Sequence, residues 1–567
     1  MYNPEELLQA YAHFMRKFTS LVVLLFVFAL FSVSAVAQSA DIVIRNANVH
    51  TMDAKLSTAS AIAMLNGRIV AVGSDGDVSR WIGKTTRVVN AGGKLVMPGF
   101  NDAHVHFTTG GMQLSLVDLR SAMSQQEFAQ RIKDYAAKLK PGEWIVGGRW
   151  DHENWKPNDL PTRQLIDAVS GDHPVFVQRL DGHMGVANSL ALKLAGVNRD
   201  TKDIAGGVIV RDANGEPTGV LKDTAMEPVL RVIPEPSFEE YVNAAAAASD
   251  YAASLGVTSV QDMTAPSFAA YQELLRTGRL KTRIYAGAVL AEWQKDAALG
   301  IRAAFGDPML RIGNLKGYAD GSLGSRTAWF FQPYHDDPST SGVPRPDVLT
   351  TMSQDISNAD KNGLQVMIHA IGDRSNATVL DMYEDVLKKH GPRDRRYRIE
   401  HSQHLRLEDI PRYGKLGVIP SMQPVHLTDD GRWAGDRLDN TRLKGAYAFR
   451  SLLDTGAHLA FGTDWAVAPL NPFFGIYAAV TRRTTDGKNP NGWFPEQKIS
   501  VNEAVRCYTL GSAYAEFQEK VKGTLEVGKY ADMIIVSDDI FTIDPVKIAD
   551  ARVLTTIVDG RVVYETK

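Results

Sequence analysis

Cysteine is nearly missing from this chain. Cys507 stands alone in 567 residues, so no disulfide can form within the molecule. A small exported domain without disulfides would be hard to stabilise, but a chain of this length can bury a large core instead. An excess of charge of one sign is also missing. Lys and Arg total 62 against 65 Asp and Glu, a net charge of -3, which removes the electrostatic case for nucleic acid or for an anionic membrane surface. No apolar run reaches the roughly 20 residues that a membrane-spanning helix needs. There is no internal repeat and no low-complexity tract. With 44% apolar and 22% charged residues, the composition is that of an ordinary globular protein of more than one domain.

The first 40 residues have a different texture. Arg16-Lys17 precedes an apolar stretch, Leu21 to Phe31, and Ala35-Val36-Ala37 follows as a small-residue cleavage pattern. This order predicts a signal peptide over residues 1–37, cut after Ala37, with Met15 as a candidate start. The alternative is an uncleaved anchor, for which the apolar run is short. No cysteine follows the run to carry a lipid. The expected location is periplasmic or secreted.

Beyond this segment both ends of the chain read as β-structure. Residues 41–97 contain alternating strands and an Asn66-Gly67 turn signal between Ala61–Leu65 and Arg68–Val72. Residues 521–567 contain Asp532–Val536, Val553–Val558 and Arg561–Tyr564, with an Asp559-Gly560 turn. Neither end has enough strands to stand alone, so one composite β domain is expected, a small sandwich built from both. Residues 98–520 alternate strand-like and helix-like runs. Eight parallel strands are expected: Leu95–His106, Val257–Asp262, Arg283–Val289, Asn314–Ala319, Leu364–Ala370, Tyr397–His401, Gly417–Met422 and His458–Asp464. Eight such units predict an α/β fold, a TIM (β/α)8 barrel, with an insertion at about 108–250 after the first strand. The rival, a doubly wound open sheet, wants a glycine-rich phosphate turn after its first strand, and none is present.

The ends of these strands carry the chemistry. His104 and His106 are two apart on a strand, so both side chains face the same way and can share one cation. His369, His401 and Asp464 each close an expected strand. In a parallel barrel all these ends meet at one face, where such a polar cluster is costly unless it binds something. Lys316 lies in the fourth strand. Its plain reading is a pair with Asp320. Its functional reading is a desolvated amine that takes up carbon dioxide and bridges two metals as a carbamate.

Several stretches together resemble the amidohydrolase superfamily. They are Met97-Pro98-Gly99-Phe100-Asn101-Asp102-Ala103-His104-Val105-His106, Lys316 with Ala319 to Arg326, His369 to Arg374, Ile399-Glu400-His401 and Gly462-Thr463-Asp464-Trp465. The segment from Asp181-Gly182-His183 to Asn188 and the tail Gly523 to Lys529 with Ala531-Asp532 also match. Within the superfamily the chain is similar to amidohydrolase family 3, the YtcJ-like and N-substituted formamide deformylase-like branch. The resemblance implies a hydrolase of carbon–nitrogen bonds other than peptide bonds, with two divalent ions, expected to be zinc. His104, His106 and Asp464 would hold one ion and His369 and His401 the other, with carboxylated Lys316 between them. Asp464 would move the proton, and a metal together with His183 would polarise the carbonyl. A deaminase of the same superfamily typically carries His-x-x-Glu on the fifth strand, where Gly372 stands here. A non-catalytic binding protein on this fold would have no use for Asp464 as a proton carrier.

Trp144, Trp150, Trp155, Trp329, Phe330, Phe331 and Trp465 are expected around the mouth. Trp155, Trp329 and Arg374 are the candidate substrate contacts. N-acyl or N-formyl amines are the expected small-molecule substrates, with cyclic amides, carbamates and lactones open. No nucleic-acid partner is expected, and no membrane once the signal is cleaved; a homodimer is compatible with this reading.

Overall fold

The computed structural model describes residues 3–30, 38–152, 155–179, 184–202, 204, 207–263, 267–324 and 326–566. Eight strands run in parallel and in sequence order around a barrel. They are β1 (Phe100–Val105), β2 (Val257–Asp262), β3 (Arg283–Val289), β4 (Leu310–Tyr318), β5 (Gln365–Ala370), β6 (Arg398–His401), β7 (Ile419–Met422) and β8 (Ala460–Phe461). The seam between β1 and β8 is closed by a parallel bridge from Val105 to Trp465 and by the Asp464 amide donating to the His104 carbonyl at 2.8 Å. The α/β barrel expected from strand–helix alternation is therefore the observed fold.

Local sequence explains how the barrel's first unit is held. Ser237 and Glu240 form a capping box that starts the helix Phe238–Ser254. Its small buried residues Ala244, Ala245 and Ala248 let it lie tight against the helix Phe107–Ser115. A Cβ at Gly111 would come within 2.0 Å of the Ala244 carbonyl oxygen, so only glycine admits this approach.

The expected first strand, Leu95–His106, is in fact two strands in different sheets. Leu95–Pro98 pairs antiparallel with Met533–Val536 and parallel with Asn48–His50, whereas Phe100–Val105 is β1 of the barrel. Gly99 makes the switch, its amide donating to the Asp532 carbonyl. Periodicity alone reads both halves as one run because both are fully buried.

The sheet holding Leu95–Pro98 has six strands and takes members from both ends of the chain. A four-stranded sheet of Arg68–Gly73, Ala61–Leu65, Ile42–Arg45 and Arg87–Asn90 shares a core with it through Ile44, Ile62, Met533 and Ile557. Asn66 and Gly67 turn its hairpin with φ of 48° and 72°. The long segment after β1 forms its own six-stranded sheet, in the order Gly207–Arg211, Pro217–Asp223, Met184–Ala187, Val175–Arg179, Ile145–Trp150 and Val117–Asp118. Pro4–Leu30 is helical. Among the described residues no helix is long and apolar enough to cross a membrane.

Candidate metal centre and active site

His104 is buried on β1, and His106 follows as the cap of the helix Phe107–Ser115. Asp464 lies just past β8, across the closing seam. Its position is set by Asp102, whose Oδ1 accepts from the amides of His104 (3.1 Å) and Thr463 (3.0 Å) and whose Oδ2 accepts from the Thr463 hydroxyl at 2.6 Å. Gly462 passes so close to β1 that a Cβ there would lie 2.5 Å from the His104 amide nitrogen. Asp464 and His401 both hold left-handed backbone, with φ of 59° and 73°. Strain of this kind in non-glycine residues is kept where a side chain must be aimed.

His104, His106 and Asp464 bring their ligand atoms within 4.8 Å of one another. Both Nε2 atoms sit 3.4 Å from Asp464 Oδ1. On its other side the His104 ring donates from Nδ1 to Glu400 Oε2 at 2.6 Å. Burial, and then the charge of Lys316, push His104 down to about 4 against the pull of Asp464 and Glu400, so the ring is neutral at neutral pH. With the proton on Nδ1, the Nε2 lone pair faces a carboxylate oxygen. Two acceptors pointed at each other call for a cation between them, and His104, His106 and Asp464 fit a divalent metal.

Glu400 can keep its charge in this dry place because of Arg398. Burial works to raise the Glu400 carboxyl, but Arg398 and His104 hold it at about 2. Arg398 Nε donates to Glu400 Oε1 at 2.8 Å and Nη2 to the Ala103 carbonyl at 2.6 Å. Asp464 is likewise held well below the usual carboxylate range: burial would raise it, and the imidazoles of His106 and His426 beside it outweigh that.

The remaining candidates converge here as well. His401 packs against His104 and His369, with ring centroids 4.9 and 4.5 Å away. His369 donates from Nε2 to the Gly321 carbonyl at 3.0 Å, leaving Nδ1 as its available nitrogen. Lys316 is fully buried in β4 and its Nζ has no hydrogen-bond partner. Burial lowers it to about 8 against the pull of Glu400 and Asp464, so part of the amine is uncharged near neutral pH. Asp320 does not pair with it. That carboxylate instead accepts from the amides of Trp329, Ile371 and Gly372, joining the loops after β4 and β5. His104, His106, Lys316, His369, His401 and Asp464 all line one cleft of about 1280 Å³.

Three of the expected substrate contacts lie elsewhere. Trp155 is buried in the insertion's own core against Phe128 and Trp150, its Nε1 donating to the Ala122 carbonyl. Trp329 is 8% exposed and belongs to the barrel core, with the Arg374 guanidinium 4.4 Å from its ring. Large rings near a barrel mouth found more apolar surface to cover inside the protein than in the cleft. His183 lies outside the described residues.

Four groups with no role assigned from sequence also shape the site. His426, on the helix Pro424–Asp430 after β7, stands 3.5 Å from Asp464 Oδ2. Burial disfavours its protonation, but Asp464 and Asp430 raise its pKa overall. Arg398 and Glu400 carried a readable sign, an acid and a base two apart in an otherwise apolar strand. Asp102 had no such sign, because its partner Thr463 is distant in the chain.

A family model described as the amidohydrolase family matches residues 87–564. The chain belongs to the amidohydrolase family. This amidohydrolase-family hydrolase is 39% identical to Protein LONG AFTER FAR-RED 3 of Arabidopsis thaliana, over 93% of the chain and 92% of the relative. It is 32% identical to the putative amidohydrolase YtcJ of Bacillus subtilis, over 91% and 98%. The N-substituted formamide deformylase of Arthrobacter pascens is 27% identical, over 93% and 99%. Among solved structures, an uncharacterized metal-dependent hydrolase from Pyrococcus horikoshii superposes with a TM-score of 0.75 at 31% identity, covering 89% of this chain and 99% of that one. The family resemblance read from the motifs is thus borne out along nearly the whole amidohydrolase barrel.

Proposed function

We propose that the protein hydrolyses a carbon–nitrogen bond other than a peptide bond, in an N-acyl or N-formyl amine or related amide. The observation that carries this reading is the pair of facing acceptors, His104 Nε2 and Asp464 Oδ1, at the floor of the cleft. His104, His106 and Asp464 would hold one divalent ion, and His369 and His401 a second, with zinc suited to imidazole and carboxylate. Lys316, buried and without a hydrogen-bond partner, would bridge them as a carbamate. When bound, the ions supply Lewis acidity that brings the ionisation of a water into the neutral range, with a pKa of about 7.

The chain's own groups do the rest. Asp464 remains an anion through its histidine neighbours and so can take a proton from the attacking water. The same carboxyl then delivers that proton to the leaving nitrogen as the carbon–nitrogen bond breaks, giving a carboxylic acid and an amine. His426 Nε2 stands 3.5 Å from Oδ2, while Oδ1 faces His104 and His106. His183 is the proposed electrophile at the substrate carbonyl. The deformylase relative makes N-substituted formamides the first substrates to try. Export through a signal peptide over residues 1–37 belongs to the same proposal.

Elemental analysis of the purified protein, alongside Lys316→Ala, tests the reading. Two equivalents of zinc or a similar ion, falling on substitution together with loss of amide hydrolysis, are expected. One equivalent that Lys316→Ala leaves untouched removes the bridge, and absence of metal after metal-replete expression overturns the proposal.

A further inference from the structure

Arg149 stands in the cleft wall and forms no ion pair among the described residues. It belongs to the insertion strand Ile145–Trp150, which runs parallel to Val175–Arg179 until the register slips between Gly148 and Trp150. Arg149 is the extra residue at that slip, and its φ is 58°. A glycine would take this conformation freely, whereas an arginine is strained in it. The bulge turns the side chain toward the barrel, as bulges near active sites commonly do.

The guanidinium is then tied down. Nη1 donates to the carbonyl of Ala466, two residues beyond Asp464. The Gln113 side-chain oxygen, in the orientation that satisfies both groups, accepts from Nη2 at 2.5 Å and Nε at 3.2 Å. Those bonds leave one N–H on each terminal nitrogen, the fork that matches a planar carboxylate. Arg120 lies beside it, its Nη2 donating to the Val467 carbonyl at 3.2 Å. Both line the cleft that holds His104 and Asp464.

Neither arginine has an ion pair among the described residues. Arg179, on the same wall, pairs with Asp151 at 2.7 Å. Burial, and next the neighbouring charge of Arg120, lower the pKa of Arg149 against the pull of Asp464 and Asp118. A half-buried guanidinium on a strained bulge, beside the like charge of the exposed Arg120, is offset best by an anion in the cleft.

We propose that Arg149, assisted by Arg120, binds a carboxylate on the substrate, so that the amide cleaved here carries a free carboxylate next to its scissile bond, as N-acyl amino acids do. This rests on the amide-hydrolase reading of the metal site and narrows its substrate class. The positive wall also offsets the repulsion that Asp464 exerts on an anionic substrate.

The test compares a panel of N-acetyl and N-formyl amino acids of both hands with their decarboxylated counterparts, on the full chain. Binding is read by calorimetry and turnover by kcat/KM. At least one carboxylate member is expected to bind about ten- to hundredfold more tightly than its counterpart, the range of a charge-assisted hydrogen-bonded pair. Arg149→Gly, which suits the backbone angle, is expected to collapse that ratio, and Arg149→Lys, which keeps the charge but not the fork, to restore only part of it. Carboxylates that bind no better than their counterparts overturn the proposal, as does a preference that survives Arg149→Gly. A carboxylate preference lost in Arg149→Gly, with no member hydrolysed by the metal-replete protein, upholds the subsite and instead removes the amide-hydrolase reading.

Discussion

Lys316 shows how a functional residue can work against the fold that carries it. Its amine is fully buried without a hydrogen-bond partner, and burial brings it from 10.5 to about 8. Below pH 8 the group is charged in both the folded and the unfolded chain, and the folded state bears the full penalty of a buried ammonium. Above 10.5 it is neutral in both and the penalty is gone. A shift of this size corresponds to about 3 kcal/mol. Lys316→Met, stripped of metal by a chelator, is therefore expected to resist denaturant better than the parent at pH 7, with the gain shrinking as pH rises from 8 toward 10.5. A variant less stable than the parent at pH 7 would mean that the lysine is stabilised by contacts other than those seen. His104, His369, His401 and Asp464 were legible residue by residue because each stands at the end of an expected strand. Their neighbours were not. Glu400 holds His104, and His426 faces Asp464, across the barrel, and nothing local to either sequence states that contact.

Gly99 decides the course of the chain at the level of elements. A Cβ on it would lie 2.1 Å from Thr258 Cγ2 on β2. The close approach lets one continuous apolar run serve two sheets, leaving the terminal sheet at Pro98 and entering the barrel at Phe100. Gly99→Ala is expected to destabilise the protein by about 1–3 kcal/mol through overpacking, measured by chemical denaturation. Thr258→Ala should recover part of that loss in the double variant; no recovery would place the strain elsewhere. The insertion shows the opposite limit of sequence reading. Its tryptophans were visible, but whether a ring covers a substrate or its own sheet depends on the packing partner. Trp150 and Trp155 stack on each other over Phe128.

For the molecule as a whole, the two ends of the chain act as one part. Met533–Val536 is clasped between Leu95–Pro98 and Val553–Val558, and all four of its residues are buried. Arg283 on β3 reaches Asp532 through two hydrogen bonds of 2.7 and 2.9 Å, tying the barrel to that sheet. Removal of residues 553–566 is expected to leave an apolar strand with an open edge and to drive the protein into aggregates, measured as loss of the soluble monodisperse fraction. A soluble, metal-binding truncated barrel would show that the terminal sheet is dispensable.

By itself the amino-acid sequence determined the barrel and the set of candidate ligands. Both rest on local pattern: runs of strand length, several with a histidine or an aspartate at or next to their ends, and parallel strands whose ends must meet. Tertiary structure alone decided how those ligands are charged and aimed, which rings stay out of the cleft, and that Arg149 enters it. Those outcomes depend on contacts between residues far apart in the chain. They also depend on a one-residue slip in a strand, which no periodicity reveals because the side chain it redirects would otherwise face away.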